Sequence, residues 1–313
     1  MPNNLSQIWV DKLQRGLLSV FDQMSMTRWM EGNARGIEYK GGKYVTMRSI
    51  ETDGAGDYSR SLGYPRGRVT GSKVQYEMKM DRGREFIIDV ADHDEAGFLV
   101  TAASVMNEYQ RNHQIPEVDA YRVGELCHLI EDYTNGDGVN DDSVDGEFIV
   151  DTLVDDIAKI RDEAGDIPLV IMMNPIVQMA LGKEFIRSLQ YQDFQSGSIY
   201  TKMRSIDGDG LMIMPSRRLK TKYDFFDGVS QDQVEGGYDI AADADDITWL
   251  VTPITAPIAV KKIDKLRVFS PDEFQDMHAW KTDYRIFHDL WLRKEEAKYC
   301  LLRTGDVTPI SND

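Results

Sequence analysis

Apolar positions recur at helical spacing through residues 90–116, where Ala96, Leu99, Ala103, Met106 and Tyr109 fall on one side. Asp92 followed by Glu95 makes a capping-box opening, and Asp94 adds negative charge at the positive helix end. Arg111 and His113 suit the other end, and Pro116 is expected to stop the helix. The pattern predicts a long spine, with the rest of the chain disposed around it.

Before the spine the period changes. Residues 1–36 hold a weak helical pattern (Ile8, Leu13, Leu17, Val20, Phe21, Met24) and read as an arm that packs on something else. Between 37 and 89 the period is two. One strand runs from Tyr44 to Ile50, and in a second Val74, Tyr76, Met78 and Met80 alternate with polar residues. The polar, glycine-rich stretch between them predicts a long hairpin with a loose tip. A two-stranded ribbon is marginal in water, so it is expected to lie against another surface.

After the spine, Glu117–Arg122 opens a second helix that continues through Leu126 and Ile130. A helix over 148–161 buries Ile149, Leu153, Ile157 and Ile160; a buried strand follows over 168–173, and Asn174 caps a helix with Pro175 in its first turn. Asp207-Gly208-Asp209-Gly210 predicts a hairpin, and 223–246 reads as an acidic loop. Strand patterns then return in ITWLVTP, PIAVKKI and KLRVFS. In TDYRIFHDLWLRK, Tyr284, Ile286, Leu290 and Leu292 share one face and Phe287 and Trp291 the other, which marks an interior strand. The tail, 304–313, is expected to be flexible.

With 313 residues and 42% apolar content the chain can build a substantial core. No apolar run approaches the ~20 residues that cross a bilayer, and the N-terminus carries no small-residue cleavage site, so no membrane or secretory role is expected. Cys127 and Cys300 are expected to be reduced core residues. A net charge of −17 argues against nucleic-acid binding as the main activity, although Arg60, Arg66, Arg68, Lys73 and Lys79 fall in one region. No constellation for chemistry emerges, so no catalytic, cofactor-binding or metal residue is assigned. The five histidines are scattered; His93 among Asp92, Asp94 and Glu95 is explained by the helix opening. Asp141, Ser143, Asp145 and Gly146 match the first half of a calcium loop, but Thr152 stands where a bidentate Glu is needed. A solvated turn over 132–147 is the preferred reading.

PITAPIAVKKIDKLRVFSPDEFQDMHAWKTDYRIFHDLWL resembles the closing part of tailed-bacteriophage major capsid proteins of the Hong Kong 97-type fold, and so does IPEVDAYRVGEL after the spine. The order of elements agrees along nearly the whole chain. The resemblance implies an α+β fold with an N-terminal arm (1–36) and an extended loop (37–89). A peripheral domain (90–118 and 247–303) would include the spine, an axial domain (119–246) would be inserted in it, and 304–313 would form the tail. It implies a subunit without a catalytic site or cofactor that forms pentamers and hexamers of an icosahedral shell. Its partners would be a portal protein, a separate scaffolding protein (no long N-terminal extension precedes the arm) and packaged double-stranded DNA, enclosed without specific binding. Assembly would take place in the host cytoplasm and the protein would end in the virion. An encapsulin-type nanocompartment is the alternative within this fold; a soluble enzyme with an acidic metal or carboxylate site is the competing class. Some relatives cross-link a hairpin lysine, but no motif carries that chemistry onto Lys40, Lys43, Lys73 or Lys79.

Overall fold

The computed structural model describes residues 4–34, 37–39, 42–61, 63–89, 104–145, 148–185, 190–196, 199–206, 208–305 and 307–308. Its core is a seven-stranded sheet crossed by helices on both faces. The strands are β5 (Val139–Asn140), β7 (Leu169–Met173), β8 (Gln190–Ser196), β9 (Ile199–Ile206), β10 (Asp209–Ile213), β13 (Ile247–Pro253) and β16 (Leu301–Thr304), in the order β5-β16-β13-β7-β10-β9-β8. All five residues of β7 are buried, because alternate side chains serve opposite layers. Val170 and Met172 join Leu250, Leu302 and helix α2 (Ile115–Thr134). Leu169, Ile171 and Met173 join Trp249, Val251 and helix α3 (Ile149–Ala164). Ile149, Leu153, Ile157 and Ile160 face that second layer as expected. The side chain of Asn174 accepts the Val177 N–H at 2.9 Å and so opens α4 (Pro175–Phe185).

The spine differs from its reading in the sequence. Its N-terminal half, including Asp92, His93 and Glu95, lies outside the described residues. From 104 onward it continues past Pro116 without a break and ends at Thr134. Residues Gln110–Gln114 form a wide π-helical turn, in which the Ile115 N–H bonds Gln110 O. Proline interrupts an α-helix by clashing with the carbonyl four residues back and by lacking an N–H. A wider turn just before it relaxes that geometry, so Pro116 is accommodated and the two expected helices are one. Termination comes instead at Asn135, left-handed at φ 53°, with the Gly136 N–H returning to Glu131 O at 3.0 Å.

A second sheet holds the long strands β14 (Pro257–Phe269) and β15 (Ala279–Leu292), with β4 (Met80–Asp89) on the far side of β15. PIAVKKI and KLRVFS are thus one strand, with a register shift between Lys261 and Ile263. β15 is interior on both faces from Ile286 to Leu292, as its sequence indicates, while Arg285 before it is exposed. The ribbon pairs β2 (Tyr44–Thr52) with β3 (Val69–Glu77) from Tyr44↔Glu77 to Thr52↔Val69, and β1 (Glu38–Tyr39) borders β2. At Met78–Lys79 the chain leaves the ribbon for the sheet, where the Lys79 N–H bonds the Asp289 carboxylate at 2.8 Å.

The arm packs on its own chain. In α1 (Asn4–Met24), Leu17 and Phe21 are buried against Met106, Ile115, Val118, Tyr284 and Ile286, and Trp29 and Met30 enter the main core. Part of the tail is ordered too. β17 (Val307–Thr308) pairs in parallel with β6 (Val144–Asp145), a two-residue ladder that sequence periodicity is too short to announce. The acidic segment 223–246 carries a small hairpin, β11 (Tyr223–Phe225) with β12 (Tyr238–Ile240).

Candidate assembly surface

Several buried ionisable groups hold elements together. Asp119 on α2 accepts the Ser25 hydroxyl at 2.8 Å, the Thr27 hydroxyl at 2.7 Å and the N–H groups of Met26 and Thr27, each at 3.2 Å. Arg122, three residues on, binds Glu31 at 2.7 Å, and Lys261 reaches the same carboxylate at 3.2 Å. Burial alone would raise the Glu31 pKa, but the two cations hold it below the usual range. These bonds fasten residues 25–31 across the spine. Nothing in local periodicity announces them, because the partners lie more than 90 residues apart.

Asp156 plays the same part under the first sheet, taking two bonds from Arg303 (2.8 and 2.9 Å) and one from the Trp249 indole (3.0 Å). His288 and Asp289 point to opposite faces of β15, as alternation requires. Asp289 accepts the Tyr121 hydroxyl at 2.6 Å, while the buried His288 ring is approached edge-on by Tyr121 and has no hydrogen-bond partner. Cys127 and Cys300 are free thiols, and burial pushes both pKa values up. Among the described residues no group of three or more His, Cys, Asp or Glu is placed to hold a metal. In the candidate calcium loop, Val144–Asp145 pair with β17 and the Thr152 hydroxyl donates to Phe148 O at 2.8 Å. Gly146 lies outside the described residues.

The surface has more to offer than the interior. At its base the ribbon is anchored: Val45 and Met78 are buried against Ile258, Val260, Phe287 and Trp291. Beyond that base it projects. Residues 53–68 form a tip closed by the Arg68 N–H on the Asp53 carboxylate (2.7 Å), with Tyr58 and Tyr64 paired at 4.9 Å between ring centroids. Lys43 pairs with Glu77 and Lys79 with Glu125, whereas Lys40 lies outside the described residues. On β4, Arg82 binds Glu117 at 2.6 Å and the carbonyls of Phe226 and Gly237 at 2.7 and 3.0 Å, pinning both ends of the loop 226–237. No helix among the described residues is long and apolar enough to cross a membrane.

No family model and no curated protein matches this chain. Solved structures do. The capsid structure of Staphylococcus phage Andhra aligns at TM-score 0.55 with 10% identity, over 87% of this chain and 82% of that one. That of the cyanophage P-SCSP1u aligns at 0.51 with 10% identity, over 86% and 85%. This is the phage capsid fold. A virus-like particle from Pyrococcus furiosus shares it at TM-score 0.50 and 10% identity, over 94% of this chain and 99% of that one. The capsid fold thus recurs with about one residue in ten in common, as expected when burial pattern and strand register carry the architecture.

Proposed function

We propose that this chain is the major capsid protein of a tailed bacteriophage, a shell subunit that assembles with copies of itself around a double-stranded DNA genome. The observation that carries this reading is a capsid fold that aligns over most of the chain, joined to a ribbon whose tip is exposed on its own subunit. A ribbon whose returning strand is exposed at Val69, Lys73, Val74 and Gln75, and so on both of its faces, is a liability in a monomer and an asset where a neighbour covers it. On this reading 37–89 is the extended loop, 119–246 the axial domain, and the spine with 247–303 the peripheral domain. The arm, 1–36, serves its own subunit from Leu13 to Asn33, and on this reading residues ahead of Leu13 are left for neighbours. The subunit would form pentamers and hexamers, meet a scaffolding protein and a portal protein, and end in the virion after assembly in the host cytoplasm. Its activity would be structural, with no catalytic step.

The particle from Pyrococcus furiosus gives a second reading, a cellular compartment shell of the same fold. Purified protein examined by negative-stain microscopy is expected to show closed, hollow particles. Monomers or small oligomers at every salt and crowding condition would overturn both readings. Portal and packaging genes beside this one would favour the phage; a cargo enzyme there would favour the compartment.

A further inference from the structure

The fixed charges of this chain are segregated in an unusual way. In a protein of net charge −17, residues 58–76 carry Arg60, Arg66, Arg68 and Lys73 and no acid at all. They are most of the tip and the returning strand of the ribbon; the first residues of the tip add Asp53, which accepts the Arg68 N–H, and the exposed Asp57. All four cations are exposed, and among the described residues none has an ion-pair partner. Residues 224–246 are the mirror image, with eight acids (Asp224, Asp227, Asp232, Glu235, Asp239, Asp243, Asp245 and Asp246) and no base. Arg217, Lys222 and Lys220 pair with Asp239, Asp243 and Asp246, and Lys222 also lies in the field of Asp224; Asp232 and Glu235 have no ion-pair partner among the described residues.

The two stretches also match in apolar content. On the ribbon Tyr58, Tyr64 and Val69 are 60%, 85% and 72% exposed; on the loop Val229 and Val234 are 83% and 58% exposed. Such exposure at a loop crest marks a contact surface when the backbone beneath it is held. It is held here. Arg82 grips both ends of the loop, and Arg84 reaches Val234 O at 3.4 Å. Gly228 and Gly236 both have positive φ, and a Cβ on Gly228 would lie 3.3 Å from the Arg84 guanidinium. Asp227 accepts the N–H groups of Val229 and Ser230, both at 2.8 Å, which with the Ser230 hydroxyl hold its pKa down to about 2. The crest therefore presents a fixed, ionised edge around two valines.

We propose that the basic tip of the ribbon docks on the acidic loop 224–246 of a second copy of this chain, with the tyrosines and valines meeting at the centre and charges at the rim. The proposal rests on the shell reading and gives it a specific joint. A contact of this kind sets orientation and partner choice, and it weakens with salt. Each exposed ion pair contributes little alone, but a closed shell repeats the joint in every subunit.

The test uses the full chain, with particle yield read by sedimentation and microscopy and folding by circular dichroism. The triple reversal Arg60→Glu, Arg66→Glu, Arg68→Glu is expected to lower yield at least tenfold with the subunit folded, and Asp232→Lys with Glu235→Lys to do the same. Combining all five changes in one chain should restore yield, since the signs are exchanged. An independent readout mixes an Arg66→Cys chain with a Glu235→Cys chain under oxidising conditions, where interchain disulfide dimers are expected; the native Cys127 and Cys300 are buried. Unchanged yield in the reversals, no recovery in the combination, or no cross-link would overturn the docking. If the triple reversal instead lowers the nucleic-acid content of particles that still form, the tip serves DNA and the proposal is wrong. Absence of particles from the native chain would sink the shell reading, and the cross-link would still decide the docking.

Discussion

The strand β7 and the ribbon tip are both short stretches rich in backbone hydrogen-bonding groups, and they have opposite fates. β7 lies between strands on both sides and helices on both faces, and all five of its side chains are buried. Around the tip, residues 53–61 and 64–71 are exposed apart from Ser59. Burial on this scale stabilises a subunit by about 1.5–3 kcal/mol per large apolar side chain, and the tip takes almost no part in it. The subunit thus separates the residues that fold it from residues available to join it to others. Substitutions in the first set should destabilise the isolated subunit, and substitutions in the second should not.

The strongest effect is expected where a buried charge would be orphaned. Asp156→Ala leaves the Arg303 guanidinium and the Trp249 indole N–H without their acceptor beneath the first sheet. Breaking a buried pair from one side costs about 3–5 kcal/mol. Urea unfolding of unassembled subunit should show a loss of that size. A change below 1 kcal/mol would mean that water reaches the pair and that the layer is less closed than its packing indicates.

Next comes the arm, which bears directly on where the boundary between the two sets falls. Leu17→Ala should cost about 2–5 kcal/mol in the unassembled subunit, the usual range for a buried leucine, because Leu17 sits among Met106, Ile115, Val118 and Ile286. Were residues 17–31 there only to reach a neighbour, the substitution would leave subunit unfolding unchanged and lower particle yield alone.

The arm also shows how far the sequence could be read. Periodicity made α3, β7, α4 and β15 legible, because each buries whole faces and so repeats its apolar residues at the spacing of its own geometry. The pairing of β4 with β15 and the fastening of residues 25–31 by Asp119 and Arg122 were not legible. The first is a choice of partner strand, which the period within either strand does not specify, and the second is a set of single contacts between distant segments, which leaves no period. Pro116 misled for a related reason: a proline signals a break only if the preceding turn stays α-helical. Of the surface, the charge runs were readable from composition. The exposure of the four ribbon cations, and that none of them has an ion-pair partner among the described residues, required the fold.

A smaller effect is expected from pH. His288 is buried with both ring nitrogens unbonded, and burial first, then Arg122, Lys261 and Arg82, push its pKa well below the ordinary value. Tyr121 meets the ring edge, and Lys261 is its cross-strand partner on β14. The folded state therefore keeps the ring neutral where the unfolded chain takes a proton. Stability attributable to this group is full above about pH 6.5 and falls as the pH drops below it, by at most about 1.4 kcal/mol per pH unit. His288→Phe should flatten the difference in urea midpoint between pH 7 and pH 5.5. An unchanged slope would mean that the folded state takes up the His288 proton as readily as the unfolded chain; Glu31, whose pKa is depressed, loses its contribution only below the ordinary carboxylate range and stays ionised across this window.

The smallest effect on folding should come from the largest excision. Replacing residues 54–67 with an Asn-Gly turn removes the whole tip and leaves Thr52↔Val69 as the last rung of the ribbon. What the subunit loses is the Tyr58–Tyr64 pair and the bridge between Ser59 and Gly63. A ring pair contributes about 0.5–1.5 kcal/mol. Beyond the Thr52↔Val69 rung the loop shortens about fourfold, which reduces its closure entropy cost by about 1.2 kcal/mol and acts in the opposite direction. The two terms nearly cancel, so subunit unfolding should move by no more than about 1 kcal/mol while particle yield falls at least tenfold. Unfolding of the shortened subunit would place the tip in the core and erase the separation between folding and joining residues. Normal particles would keep that separation and show that neighbours are held by some other surface, leaving Tyr58, Tyr64, Arg60 and Arg66 without a role in the shell.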